Sequence, residues 1–141
     1  MTSQESEYIR KWFERLKSKW EDNRQTAAIR HEMTEFIINT HAHIENMSVE
    51  IIADRIIDDR FSEDARSYVD HNMSQSHREM LLYECDLLPS SVQSDLSEFR
   101  QLRNEVVHRA GQPPRWELDD ATEKMEAGVQ ALSKLADISS K

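Results

Sequence analysis

Apolar residues along this chain return every three or four positions and not every second one. That is the period of an α-helix, not of a strand. Tyr8, Ile9, Trp12, Phe13, Leu16 and Trp20 share one face and predict a first helix over residues 5–21. A second helix is expected from residue 26 into the fifties. In it Met33, Ile37, Thr40, Ile44, Met47 and Ile51 alternate spacings of four and three, a heptad-type seam suited to a bundle or a helical dimer. Asp54 and Asp58 then occupy the seam positions while Ile52, Ile56 and Ile57 carry the apolar face, so the helix should end or change partner near residues 58–60.

Ser62 is the expected N-cap of a third helix, with Glu63 and Asp64 at the positive end of its dipole. The polar run HNMSQS, residues 71–76, predicts a break. The pair Ser76 and Glu79 has capping-box spacing and would restart a helix carrying Met80, Leu81, Leu82, Leu87 and Leu88. Pro89 ends that run. Ser90 with Gln93 offers a second capping box, opening a helix over residues 91–109 that Gly111 and the pair Pro113–Pro114 terminate. A last helix, capped by Asp119 or Asp120, would bury Leu118, Ala121, Met125, Val129 and Leu132. No alternating run reads as a strand. The expected fold is all-α, a helical bundle of four to six helices forming a single domain over residues 1–141.

Composition supports long helices: 141 residues contain only 2 Gly and 3 Pro. The net charge of −9 means that the protein as a whole repels phosphate, so any nucleic-acid contact needs a local basic cluster. The lone cysteine, Cys85, lies in an apolar run and is expected to be a buried thiol in a reducing compartment. No apolar segment approaches membrane-spanning length and the first residues lack a signal-peptide core. A cytoplasmic protein without membrane contact is therefore expected.

One segment stands apart: EFRQLRNEVVHRAGQPP, residues 98–114. On a helical wheel at about 100° per residue, Val92, Leu96, Phe99, Leu102 and Val106 form the core stripe. Arg103 falls only about 40° from Phe99, within that stripe. A guanidinium there must find a partner, escape sideways or face another chain, because an unpaired buried charge is costly. Asn104 and His108 share a face roughly opposite the core. Arg103 and His108 therefore do not meet along one straight helix, but could across a two-fold axis with a second copy.

Arg103, Asn104 and His108, with four residues between the Arg and the His, resemble the HEPN superfamily. Its members are small all-helical domains that carry Arg, four to six residues, then His late in the chain, commonly with Asn after the Arg. The stretch THAHIENMSVEII, residues 40–52, resembles the long preceding helix of some members, in which an acidic residue contributes to the site. Glu45 is the matching position. Many toxin members carry Tyr two residues after the His, and this chain departs from that pattern with Ala110. The resemblance implies a homodimeric, metal-independent endoribonuclease of toxin–antitoxin or antiviral defence type, possessing no cofactor and leaving 2′,3′-cyclic phosphate and 5′-hydroxyl ends. It implies His108 as general acid or base, Arg103 as phosphate clamp, Asn104 as orienting group and Glu45 as helper, with an antitoxin protein as a partner.

These residue types suit that chemistry. Imidazole exchanges protons near neutral pH, and Arg grips phosphate with a bidentate fork. Arg100, Arg109 and Arg115 would supply the positive field for RNA. The alternative is a non-catalytic helical interaction module that binds a nucleotide or partner protein, or a purely structural bundle. His41, His43 and Glu45 lack the spacing of a metal site on a helix, and no metal is expected. His31, His71 and His77 read as surface residues.

Overall fold

A computed structural model describes residues 3–22, 26–58, 60, 62–108 and 118–140. Six helices follow one another: α1 (Ser3–Glu21), α2 (Ala27–Arg55), α3 (Ser62–His71), α4 (Gln75–Glu84), α5 (Ser90–His108) and α6 (Leu118–Ser139). Among the described residues there is no strand. None of these helices is long and apolar enough to cross a membrane.

α2 is the central element and packs against every other helix. Its predicted seam, Met33 to Ile51, is buried throughout. Phe36, Ile52 and Val49 are buried as well, so the helix is enclosed on more than one side. That is the pattern of a helix surrounded by neighbours, wider than a single heptad seam. Thr26 caps it, its hydroxyl accepting from the Ile29 amide at 3.3 Å. On α1, Ile9, Phe13, Leu16 and Trp20 are buried. Trp12 meets Phe36 edge-on at 5.2 Å and donates its indole N–H to Glu32 at 3.4 Å. Tyr8, expected in the stripe, lies at its edge and is 60% exposed.

α6 returns along α5, α2 and α1 and buries Ala121, Met125, Val129 and Leu132. It begins at Leu118, a residue before the expected caps. Gly128 lets it approach α5 closely, since a Cβ there would sit 2.3 Å from Cδ2 of Phe99.

The two short helices depart from expectation at their ends. α4 is capped by Ser74, whose Oγ accepts from the His77 amide at 3.2 Å, and not by Ser76. Glu79 therefore does not reach back to a cap but turns into the core. At the other end of α4, Asp86 adopts φ 59°. The Leu87 amide bonds Leu82 O and the Asp86 amide bonds Tyr83 O, a Schellman closure. Cys85 is the C-cap residue of this turn and is exposed, correcting the expected buried thiol. The helix ends there, and Leu82 and Leu88 fill the core in its place. α5 starts at Ser90, its first turn closed by Pro89 O accepting from Val92 and Gln93 at 3.1 Å.

Candidate functional site: a polar seam shared by three helices

The core is interrupted where α2, α4 and α5 meet. Gln75 Nε2 donates to Ser48 Oγ at 3.1 Å, and Arg78 lies 3.7 Å from Glu45, so α4 runs antiparallel to α2. Arg100 Nε donates to Glu79 at 3.3 Å and Gln93 lies against Met80, so α4 is also antiparallel to α5. The three helices thus bring polar side chains to one seam.

Arg78 is its most tightly held member, only 4% exposed. Its Nε donates to Val69 O at 2.9 Å, Nη2 to Asp70 O at 2.8 Å and Nη1 to Gln75 Oε1 at 3.0 Å. Those two carbonyls belong to the last turn of α3, whose C-terminal oxygens have no partner within the helix. One guanidinium fork therefore caps α3 and locks it to α4.

Glu45 accepts from His41 Nδ1 at 2.8 Å, one helical turn back on α2. The His41 hydrogen bond holds the Glu45 carboxyl below the usual range. Partial burial opposes this, and the charges of His41, Arg103 and Arg78 add to the lowering. His41 is buried and its ring stacks at 28° on Phe99, centroids 6.4 Å apart. Its Nε2 has no hydrogen-bond partner among the described residues. Glu79 is the opposite case. Desolvation raises its carboxyl, and Arg100 only partly offsets this.

Arg103 is half-buried beside this group, as its place on the core edge predicts. Its Nη1 donates to Asn104 Oδ1 at 3.3 Å, and its charge is felt at Glu45. Arg103 and Asn104 are thus paired on α5, within electrostatic range of Glu45 on α2. His108 does not join them: it is exposed in the last turn of α5, where a cationic side chain suits the helix dipole. Five residues of helix put it about 140° around and about 7.5 Å along the axis from Arg103. Arg100 is held by Glu79 and does not stand free on the surface. Arg109 and Arg115 lie outside the described residues, as do Ala110 and the Gly111 and Pro113–Pro114 stop.

His41, Ser48, Gln75, Arg78 and Glu79 were not among the residues given a functional role from the sequence. Two signals were available. His41 and Glu45 have the i, i+4 spacing of a helical pair. Arg78 and Glu79 precede Leu82 by four and three residues and so share its inward face. Arg78 and Arg100 pair with the two glutamates of the seam, and the charge of Arg103 is felt at Glu45. Among the described residues, no group of three or more His, Cys, Asp or Glu could hold a metal ion. No protein-family model, curated protein or solved structure matches the chain.

Proposed function

We propose that this chain is a HEPN-like endoribonuclease that acts as a homodimer without a metal. The observation that carries the reading is the side-by-side pair Arg103 and Asn104, half-buried on α5 and facing the electrostatic reach of an ordered Glu45. Burying that much charge is costly to a bundle that could have packed leucine there. Perturbed carboxylates next to arginines concentrate at functional sites. The exposed position of His108 suits a composite site in which the α5 C-terminal turns of two copies face one another.

In such a site His108 takes the proton of a ribose 2′-hydroxyl, or gives one to the leaving oxygen. The 2′-oxygen forms a bond to phosphorus and the bond from phosphorus to the 5′-oxygen breaks. The 5′-oxygen leaves protonated, so the products are a 2′,3′-cyclic phosphate and a 5′-hydroxyl. Arg103 holds the non-bridging oxygens as charge builds on them. Asn104, already bonded to Arg103, orients the phosphate, and Glu45 keeps the arginine in place. The toxin or antiviral role and an antitoxin partner rest on the resemblance of the motif.

The test is cleavage of mixed RNA in excess EDTA by the native protein, His108→Ala and Arg103→Ala, with the oligomeric state measured in parallel. Loss of cleavage in both variants, with cyclic-phosphate ends from the native protein, is the expected result. Equal background cleavage, or none, by well-folded proteins would overturn it. A monomer would keep His108 and Arg103 apart and favour the non-catalytic module that binds a nucleotide or partner protein.

A further inference from the structure

His41 sits where an apolar ring would serve the core better. It is 4% exposed, and its imidazole stacks at 28° on Phe99. Phenylalanine would fill that place with no polar atom to satisfy. The imidazole instead carries two nitrogens inward. Nδ1 meets Glu45 Oε1 at 2.8 Å. An ionised carboxylate only accepts, so Nδ1 bears the hydrogen. Nε2 is buried and has no hydrogen-bond partner among the described residues. A buried polar atom without a partner destabilises a fold, so its presence calls for a reason. Among the described residues, the one hydrogen bond that this ring makes is the bond to Glu45.

That bond lies one layer away from Arg103. α4 is antiparallel to both α2 and α5, so those two helices run parallel. His41 on α2 covers Phe99 on α5. Glu45 and Arg103 each follow by four residues, about 6 Å along the axis and about 40° around. The stacked rings thus floor the next layer, in which the charge of Arg103 reaches Glu45. The Glu45 side chain is 36% exposed, and a glutamate with that much freedom samples several rotamers unless something fixes it. Three groups face it: His41 on its own helix, Arg78 from α4 and Arg103 from α5. Arg78 stands 3.7 Å from Oε2 with its fork committed to α3 and Gln75. The close, directional contact is the one from His41.

We propose that His41 is a positioning residue, fixing the Glu45 carboxylate so that Arg103 is held in place to grip a phosphate. That the phosphate belongs to RNA rests on the ribonuclease reading. His41 itself transfers no proton and touches no substrate. A Glu45 free to turn would leave Arg103 less ordered, and the contact weakened would be the one that strengthens as charge builds on the phosphate. The His41 bond also keeps Glu45 ionised to lower pH.

The test compares the native chain with two variants. His41→Phe keeps a ring on Phe99 but has no donor. His41→Asn is smaller, yet its amide can donate from near the place of Nδ1. An NMR titration of the Glu45 carboxyl, the melting temperature and the pH profile of RNA cleavage are measured for each. In His41→Phe the Glu45 titration should move up, and the acid limb of the cleavage profile should move to higher pH with it. There kcat should fall about tenfold, the scale of losing a group that orients a functional residue. KM should stay within about twofold. The melting temperature should change little, because the unpartnered Nε2 leaves with the imidazole. His41→Asn should return the acid limb toward its native place. An unmoved Glu45 titration, a moved titration with unchanged kcat, or activity that falls only in step with stability in both variants would overturn the proposal. If the native chain cleaves no RNA, the ribonuclease reading fails and binding of a non-cleavable 2′-O-methyl RNA tetramer decides. Affinity lost in Arg103→Ala and reduced in His41→Phe would support the positioning role. No binding, or binding that His41→Phe leaves unchanged, would overturn it.

Discussion

Replacing Arg78 tests how the seam is held together. Arg78→Met keeps an unbranched apolar stem but removes the fork. Four acceptors lose a donor or a counter-charge: Val69 O at 2.9 Å, Asp70 O at 2.8 Å, Gln75 Oε1 at 3.0 Å and Glu45 at 3.7 Å. A hydrogen bond from a charged donor contributes about 1.5–3 kcal/mol. Three of them summed naively give roughly 4.5–9 kcal/mol. Asp70 O is only part-buried and Glu45 is half-exposed, so water recovers a share of this. The expected loss is about 3–5 kcal/mol, the range for breaking a buried charged network from one side. That is a large fraction of the roughly 5–15 kcal/mol that holds a domain together. At about 3 °C per kcal/mol the melting temperature should fall by roughly 10–15 °C. Urea titration followed by circular dichroism reads the change as a lower midpoint with an unchanged slope. Arg78→Lys should recover less than half, because an ammonium cannot reach both α3 carbonyls and Gln75 in one plane. A loss below about 1 kcal/mol in Arg78→Met would refute the view that this residue caps α3 and ties it to α4.

Other substitutions probe the remaining features. Gly128→Ala should cost about 1–3 kcal/mol, because its Cβ would meet the Phe99 ring at 2.3–2.6 Å. Adding Phe99→Leu should cost less in the Gly128→Ala background than in the native one, measurable as a double-mutant cycle in urea. Asp86→Gly should raise stability by about 0.5–1 kcal/mol, since φ 59° suits glycine better. An unchanged midpoint would argue against strain at that residue. The two seam carboxylates should respond to pH in opposite directions. Glu45 is more acidic folded than unfolded, so its contribution is present above the ordinary value of 4.5 and is lost as pH falls through its lowered folded value. Glu45→Gln should therefore flatten the acid side of the stability profile. Glu79 is less acidic folded than unfolded, so its contribution is present below 4.5 and is lost as pH rises through its raised folded value. Glu79→Gln should therefore gain on the native protein across that rise, and urea midpoints between acid and neutral pH check both signs.

The helical class and most inward-facing positions were legible in the sequence, because a period of 3.6 residues is written locally in every helix. Met33 to Ile51 and Val92 to Val106 are buried as their spacing requires, as are Ile9, Phe13, Leu16 and Trp20, while Trp12 is only partly covered. Arg103 on the core edge and His108 on the far side of the same helix were legible for the same reason. Helix ends were read less well. Ser76 and Glu79 have capping-box spacing, yet Ser74 makes the cap and Glu79 is drawn inward to Arg100. Cys85 sits in an apolar run, but the left-handed turn at Asp86 leaves it outside.

What the chain determines by itself is which side chains share a helical face, since that follows from residue spacing alone. What only the tertiary structure decided is which faces meet. Thirty residues separate Glu45 from Gln75, and a further helix intervenes before Arg103. No local pattern says that α4 runs antiparallel to both α2 and α5. That packing turns Arg78 into the cap of α3, joins Glu79 to Arg100, and lets the charge of Arg103 reach Glu45. Polar partners across helices are chosen by desolvation, because a group removed from water must bond whatever the fold places beside it.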